Sequence, residues 1–222
     1  MIRGVFVTGT DTGVGKTLVA CGLIHAYRRL GLRVAGMKPV AAGGFEAPSG
    51  WTNEDVEALR AAANVDAPLD DINPYRLREP IAPHIAAARA GVALDLSVIR
   101  ARFAALAQRA DAVVVEGAGG FAVPLNEGED FGDLARLLGL PVVLTVGLRL
   151  GCINHALLTQ EAILARGLVL AGWVANRIDP AMAACDENLA TLAARMRAPL
   201  LGVVPHLAEP DATAIPVRVP NC

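Results

Sequence analysis

Short apolar runs alternate along this sequence with longer segments in which apolar residues recur every three or four positions, and no other feature constrains the fold as strongly. The short runs predict buried strands and the periodic segments predict amphipathic helices. Strands are expected over residues 2–8, 33–37, 112–115, 141–146, 169–175 and 200–204. Helices are expected over residues 16–30, 53–63, 95–109, 131–138, 152–166 and 184–196. Strands that alternate with helices form a parallel sheet covered on both faces. The chain is therefore expected to be one doubly wound, mostly parallel α/β domain over residues 1–222, with residues 43–52 and 208–222 as its loosest parts.

Composition supports a folded domain and excludes several classes of protein. Apolar residues make up 54% of the 222 residues and charged residues 19%, which is the reverse of the balance in disordered chains. Aromatic residues make up 4%, so the core is expected to consist of Ala, Val, Leu and Ile. The formal net charge of −2 provides no positive field for nucleic acid or an anionic membrane, and neither is expected as a partner.

The mean hydropathy of +0.43 raises the question of a membrane segment. A membrane-spanning helix needs about 20 consecutive apolar residues. The longest charge-free apolar run has 12 residues, between Arg136 and Arg149, and Pro141 interrupts it. The N-terminal residues show no signal-peptide pattern. The four cysteines form no CxxC pair, so no disulfide or zinc site is expected at Cys21, Cys152, Cys185 and Cys222. These features favour a reduced, cytoplasmic protein.

A glycine-rich loop, GTDTGVGKT over residues 9–17, joins the first predicted strand to the first predicted helix. Glycines let backbone N–H groups converge on phosphate oxygens, and the helix N-terminus adds a positive partial charge. The lysine of such a loop contacts the outer phosphates and the hydroxyl binds magnesium. Gly13, Gly15, Lys16 and Thr17 supply these groups, although Thr10 replaces the first glycine of the usual pattern. The alternative is a plain glycine-rich turn; the loop favours a single-domain P-loop NTPase.

Polar residues follow the other predicted strands, at the edge where ligands bind in parallel sheets. Lys38 follows the second strand, and Pro39 biases its backbone to an extended conformation; the alternative is a solvated lysine. Glu116 follows the third strand, where a carboxylate without a nearby cation is costly to bury. Asn176 follows the fifth strand and has the donor and acceptor that adenine requires, or else it caps a turn. The edge is therefore expected to form the nucleotide site.

Six sequence blocks resemble the dethiobiotin synthetase family and follow its order. They are GTDTGVGKT (9–17), GMKPVAAG (36–43), NPYRLREPIAPHIAA (73–87), VEGAGGFAVPL (115–125), VGLRLGCINHALLT (146–159) and GWVANRI (172–178). Together they span most of residues 1–206. The resemblance implies a homodimeric P-loop enzyme of biotin synthesis that uses ATP, Mg²⁺ and CO₂ to close a ureido ring on 7,8-diaminononanoate.

The resemblance also implies roles for individual residues. The catalytic set is Lys16, Lys38 and Thr12, and the magnesium set is Thr17, Asp55 and Glu116. Nucleotide contacts are expected at Gly13, Val14, Gly15, Lys16, Thr17, Leu18, Asp55, Glu116, Gly117, Ala118, Gly119, Asn176, Arg177, Pro205, His206, Leu207 and Asp211. Substrate contacts are expected at Ala42, Gly151, Cys152, Ile153 and Asn154, the last four holding a carboxylate across the dimer interface.

Some of these assignments have ordinary structural alternatives. Asp55 could stabilise the dipole of its own helix, residues 117–119 could form a tight turn, and residues 151–154 could be an ordinary helix start. Ala42 departs from relatives that carry a hydroxyl group there, which leaves a side-chain hydrogen bond to the substrate in doubt.

Two other functions use similar loops. ATP-switched partitioning and carrier proteins related to MinD have a second lysine five residues before the first, where this chain has Asp11. Amide-forming synthases that act on corrinoids carry an additional glutaminase domain, for which 222 residues leave no room. The ligase is therefore favoured, with the ATP-switched dimer as the alternative.

Overall fold

The computed structural model describes residues 3–48 and 50–220. Its strands are β1 (Arg3–Gly9), β2 (Val34–Met37), β3 (Val40–Ala42), β4 (Phe45–Ala47), β5 (Gly50–Thr52), β6 (Tyr75–Leu77), β7 (Ala112–Gly120), β8 (Val142–Gly147), β9 (Leu170–Asn176) and β10 (Leu200–Val204). Its helices are α1 (Lys16–Arg29), α2 (Glu54–Ala62), α3 (Leu69–Ile72), α4 (Pro83–Arg89), α5 (Leu96–Arg109), α6 (Phe131–Leu138), α7 (Cys152–Ala165) and α8 (Cys185–Arg195). The predictions for Ile2 and Cys222 fall outside the described residues.

The main sheet has six strands in the order β10-β9-β8-β1-β7-β2, and every neighbouring pair is parallel. Alternate residues of each strand point to opposite faces. Val5 and Val7 pack with α1 and α2 on one face, whereas Phe6 packs with α5 to α8 on the other. The predicted doubly wound α/β fold with helices on both faces is confirmed.

Two small sheets lie outside the main one. β3 pairs in parallel with β6, and β4 pairs with β5 in an antiparallel hairpin. Each of these strands has three residues, too few to show a period of two in the sequence. Residues 43–52, which we expected to be loose, therefore include a hairpin, except for Ser49, which lies outside the described residues.

The C-terminal segment is packed more closely than the sequence suggests. Ile215 and Val217 are buried, and the Arg218 N–H donates a hydrogen bond to the Leu201 carbonyl at 3.0 Å. Ile215 occupies the space that a side chain at Gly22 would fill. Within the tail over residues 208–222 that was expected to be loose, Ile215, Val217 and Arg218 are thus packed against the domain, while residues 221–222 lie outside the described part.

β7 is longer than predicted, because it runs through Glu116 to Gly120 instead of ending at residue 115. Glu116 pairs with Val7 of β1, and Gly120 pairs with Gly9. Glu116 is thus held by the sheet itself and not by a loop. Within the described ranges, no helix is both long and apolar enough to cross a membrane.

Candidate nucleotide and metal site

The glycine-rich loop joins β1 to α1 through two residues with left-handed backbone conformations. Gly13 has φ 73° and Gly15 has φ 87°, a region that favours glycine. A Cβ atom on Gly15 would lie 2.2 Å from Nδ2 of Asn176, so a side chain is also excluded by space. The loop therefore presents its backbone at the positive end of α1, as an anion site requires.

Lys16 begins α1 and is buried beneath this loop. Its Nζ donates a hydrogen bond to the Asp11 carbonyl at 2.9 Å. Burial, and then the nearby charge of Lys38, lower the pKa of Lys16 to about 8. A negatively charged ligand in the loop would favour the protonated lysine and raise this pKa again.

Three oxygen-bearing side chains meet at the carboxyl edge of the sheet. The Thr17 hydroxyl, from the first turn of α1, lies 2.7 Å from Oδ1 of Asp55 and 2.9 Å from Oε1 of Glu116. Asp55 is in the first turn of α2, where Asn53 caps the helix by accepting a hydrogen bond from the Asp55 N–H at 2.9 Å. The predicted magnesium residues are therefore adjacent in space.

Lys38 lies between the two carboxylates. Its Nζ is 2.6 Å from Oε1 of Glu116, 2.9 Å from Oδ2 of Asp55 and 3.2 Å from the Gly117 carbonyl. Burial alone would lower the pKa of Lys38, but Glu116 and Asp55 outweigh it and the pKa is raised. Lys38 is therefore a buried, charged residue of the site and not a solvated lysine at a strand end.

The two carboxylates respond differently to this environment. Burial raises the pKa of Glu116, although Lys38 opposes the shift. Burial would also raise the pKa of Asp55, but the contact with Lys38 outweighs it and the pKa is lowered. Glu116 has no exposed surface, and its Oε2 atom has no hydrogen-bond partner among the described residues.

These groups fit a magnesium ion. Mg²⁺ prefers oxygen ligands and is usually held by one or two carboxylates together with substrate phosphates. An unpaired buried carboxylate oxygen such as Oε2 of Glu116 is costly, and a cation would compensate for it. Thr17, Asp55 and Glu116 are therefore the residues that would hold the ion.

A cleft of about 750 Å³ opens over these groups. Its lining combines the charged residues above with apolar side chains from three separate segments. The lining residues are Thr12, Gly13, Gly15, Lys16, Thr17, Lys38, Ala41, Ala42, Asn53, Asp55, Pro80, Ile81, Ala82, Pro83, Glu116, Ala118, Gly119 and Val123. The cleft thus places lysine side chains and the residues that would hold a metal ion, both suited to phosphate groups, next to apolar surface. The apolar surface suits an aliphatic chain.

The remaining predicted site residues do not line this cleft. Asn176 is buried, and its Nδ2 donates to the Val14 carbonyl at 3.0 Å, so its amide group fastens the end of β9 to the glycine-rich loop. His206 lies with its Nδ1 3.2 Å from the Arg177 carbonyl, and Arg177 pairs with Asp186. The other predicted residues outside the lining are Val14, Leu18, Gly117, Gly151, Cys152, Ile153, Asn154, Pro205, Leu207 and Asp211.

The predicted carboxylate site lies at the start of α7. Gly151 is the N-cap residue of this helix with φ 95°, and among the residues that the structure describes no side chain forms a capping hydrogen bond there. Just before it, Arg149 forms an ion pair with Asp11 of the glycine-rich loop. A hydrogen bond from the Thr12 N–H, and then Arg149, lower the pKa of Asp11. The ion pair between Arg149 and Asp11 thus connects the predicted carboxylate site to the glycine-rich loop.

Three features of the site were not predicted from individual residues. Asn53 positions Asp55, the segment 80–83 forms one wall of the cleft, and Asp11 pairs with Arg149. Segment 80–83 lies in a block that contributed only to the family resemblance. The Asp11–Arg149 pair joins residues 138 positions apart, which spacing in the sequence does not show. The Asn53 cap is local, and an asparagine just before a predicted helix is the signal that could have found it.

Together the fold and this loop define the class: the chain is a P-loop nucleotide-binding protein of the α/β type. A family profile described as an AAA domain matches residues 3–214. The chain is 60% identical to ATP-dependent dethiobiotin synthetase BioD of Aromatoleum aromaticum, over 99% of this chain and 98% of that protein. The chain belongs to the dethiobiotin synthetase family.

Solved structures with low sequence identity share the fold. The septum site-determining protein MinD of Pyrococcus horikoshii, complexed with Mg-ADP, has a TM-score of 0.58 and 16% identity, and the match covers 92% of this chain and 82% of that one. The signal recognition particle receptor FtsY of Elizabethkingia anophelis, in complex with GDP, has a TM-score of 0.53 and 17% identity, with 98% and 60% covered. These likenesses concern the fold alone.

Proposed function

We propose that this chain is an ATP- and Mg²⁺-dependent cyclo-ligase that converts 7,8-diaminononanoate and CO₂ into dethiobiotin, with release of ADP and phosphate. The observation that carries the proposal is Lys38, held between Asp55 and Glu116 beside the phosphate loop. The 60% identity to a dethiobiotin synthetase supports it.

The proposed reaction has three steps. A neutral amine of the substrate adds to CO₂ and loses a proton to solvent, which forms a carbamate. A carbamate oxygen attacks the γ-phosphate of ATP, which forms a carbamic-phosphoric anhydride and releases ADP. The second amine then attacks the carbamate carbon, closes the ring and expels phosphate.

The phosphoryl transfer requires alignment and charge neutralisation more than covalent help from the protein. Lys16 and the backbone of residues 12–17 bind the phosphates, and Lys38 donates hydrogen bonds to the carbamate and the transferred phosphoryl group. Thr17, Asp55 and Glu116 would hold a magnesium ion, which when bound would neutralise charge on the phosphates. The structure supports these roles because Lys38 contacts two of the three residues of the metal site.

Apolar residues support the choice of an aliphatic substrate. Ala41, Ala42, Ile81 and Val123 line the cleft next to the charged groups. They offer no charged partner along the length of an alkyl chain. The missing hydroxyl at Ala42 leaves hydrogen bonding to the substrate amines or carbamate to backbone groups of residues 40–43.

We further propose that the substrate carboxylate binds residues 151–154 of a second copy, in a homodimer. Support comes from the start of α7: Leu150, two residues before the helix, is 92% exposed, and Leu158, within it, is 56% exposed. Exposed apolar side chains mark interaction surfaces when they form a contiguous patch, which a second copy at this helix start would cover. Sedimentation of the protein as a monomer at assay concentration would contradict this part of the proposal.

ADP release with the diamine and bicarbonate, singly and together, tests the function. We expect ATP turnover to depend on both substrates, with one dethiobiotin formed for each ADP released. An ATP turnover that the diamine does not stimulate would contradict the ligase and favour the ATP-switched alternative.

A further inference from the structure

The backbone of Lys38 leaves the main sheet and is held there by a neighbouring segment. β2 ends at Met37, and β3 begins at Val40 in the small sheet with β6. The Lys38 N–H donates to the Ile72 carbonyl at 2.9 Å, and the Pro39 carbonyl accepts from the Tyr75 N–H at 3.3 Å. Residues 72–75 therefore form hydrogen bonds to the backbone of Lys38 and Pro39, where the chain passes from the main sheet to the small sheet.

The side chain of Asn73 adds two more hydrogen bonds to the backbone of this region. Its Nδ2 donates to the Lys38 carbonyl at 2.6 Å and to the Tyr75 carbonyl at 3.2 Å, and the residue has no exposed surface. Its own backbone is fixed, because its N–H donates to the Leu69 carbonyl at 2.7 Å and its carbonyl accepts from Arg76 at 2.7 Å. The Lys38 carbonyl is thus hydrogen-bonded to a side chain whose own backbone is held by two further hydrogen bonds.

The oxygen atom of the Asn73 side-chain amide is in a different situation from its nitrogen atom. Its Oδ1 atom is buried and has no hydrogen-bond partner among the described residues. Buried polar atoms are nearly always paired, so an unpaired one calls for a physical reason. Turning the amide over would place Oδ1 against two carbonyl oxygens, which repel it. The two donated bonds therefore decide the orientation and leave Oδ1 unpaired.

We infer that Asn73 is a positioning residue that acts on the reaction through Lys38, an inference that rests on the proposed function. Lys38 reaches the two carboxylates through a flexible four-carbon chain, so the position of its ammonium group depends on where its backbone is fixed. Misplacing a reacting group by about 1 Å can reduce a rate about 100-fold. Asn73 contacts none of the groups at which the chemistry takes place.

The chain offers a matched control at the other end of β2. Asn64 accepts a hydrogen bond from the Val34 N–H at 2.7 Å and donates to the Leu32 carbonyl at 3.1 Å. It therefore anchors the start of the same strand through two hydrogen bonds, at the end opposite to Lys38, although Asn64 itself is exposed. Asn64→Ala reports what the loss of such an anchor does to the fold alone.

The test compares the steady-state kinetics and thermal unfolding of Asn73→Ala and Asn64→Ala. We expect Asn73→Ala to lower kcat by about tenfold or more while the KM for ATP changes by less than about threefold. Asn64→Ala should keep kcat within about twofold of the unmodified protein, even if its melting temperature falls as far as that of Asn73→Ala. A kcat for Asn73→Ala within about twofold of the unmodified protein would overturn the inference.

A double-mutant cycle separates action through Lys38 from a general structural effect. Adding Asn73→Ala to Lys38→Ala should reduce the residual rate by less than about twofold, because the group being positioned is absent. Loss of the full single-variant factor in that background would overturn the inference. An unmodified protein that makes no dethiobiotin would instead contradict the proposed function, so the two failures are distinguishable.

Asn73→Asp keeps the inference testable if the alanine variant does not fold. A buried carboxyl group among carbonyl oxygens has a raised pKa, and its protonated form can donate one hydrogen bond to the Lys38 carbonyl. We expect the kcat of this variant, relative to the unmodified protein, to fall as pH rises and the proton is lost. A ratio that does not change with pH would overturn the inference.

Discussion

Among single residues, Lys38 forms ion pairs with both carboxylates of the site. Only 3% of its surface is exposed, and both of its ionic partners also surround the predicted metal position. A buried ion pair is costly to break, because each partner left behind is a desolvated charge. The position of Lys38 therefore links the fold of the site to its chemistry.

Lys38→Ala tests this role directly. We expect kcat to fall at least about 100-fold while the dissociation constant for ATP changes by less than about threefold, because the lysine acts mainly on the transition state. Calorimetry of ATP binding beside steady-state kinetics separates the two quantities. Equal losses in binding and in kcat would assign Lys38 to ground-state binding instead.

Glu116→Gln tests the metal site. The substitution removes a charge and keeps the size, so the Mg²⁺ concentration for half-maximal activity should rise about tenfold or more. A magnesium titration of activity measures it. Glu54→Gln is the matched control, since Glu54 is an exposed acid in the first turn of α2 next to Asp55. An unchanged magnesium requirement for Glu116→Gln would exclude Glu116 as a ligand.

The lowered pKa of Lys16 predicts that the protein takes up a proton when nucleotide binds. Its pKa is lowered to about 8 by burial and by Lys38, so the free protein holds Lys16 largely neutral at pH 9. The phosphates favour the charged form, so ATP binding should take up a proton, more at pH 9 than at pH 7. Calorimetry in two buffers with different ionisation enthalpies measures the uptake, and Lys16→Met should abolish it. Identical enthalpies in both buffers at pH 9 would contradict the prediction.

The same shift has a consequence for stability without nucleotide. Below pH 8 Lys16 is charged in both the folded and the unfolded chain, and burial of that charge destabilises the fold. Between pH 8 and the ordinary lysine value of 10.5 the unfolded chain binds more protons, so the contribution of Lys16 to unfolding free energy rises with pH.

At the scale of elements, what the sequence reveals depends on the length of each element. The six strands of the main sheet were predicted because each is a distinct apolar run. The three-residue strands β3 to β6 show no such run, and their pairing depends on contacts distant in sequence. β7 continues beyond the apolar run that ends at Val115, because Glu116 still pairs with β1 and, after a shift in register, Gly120 does so again.

The docked C-terminal segment depends on glycines that leave space for it. A Cβ atom on Gly202 would lie 2.1 Å from the Pro216 carbonyl oxygen, a backbone atom that cannot turn away. We expect Gly202→Ala to displace this segment and lower the unfolding free energy by about 1–3 kcal/mol. Gly128→Ala is the control, since a Cβ atom there meets nothing within 4 Å. Urea unfolding compares them, and equal stabilities would show that the segment contributes nothing.

At the scale of the whole molecule, parallel topology brings together residues that are far apart in the sequence. Thr17, Lys38, Asp55 and Glu116 come from four different segments and meet at the carboxyl edge of the sheet. The places of Thr17, Lys38 and Glu116 were predicted, because ligands bind at that edge in such folds. Asp55 was expected there only from the family resemblance. Asn73 was not singled out, because its role depends on a hydrogen bond to a backbone carbonyl 35 positions away.

Incorporation of labelled bicarbonate tests the central claim most directly. The protein is incubated with ATP, Mg²⁺, 7,8-diaminononanoate and ¹³C-bicarbonate, and the product is measured by mass spectrometry beside ADP. The account predicts dethiobiotin with one ¹³C atom in its ring, one ADP for each ring formed, and almost no product from Lys38→Ala. ADP release without labelled dethiobiotin would contradict it.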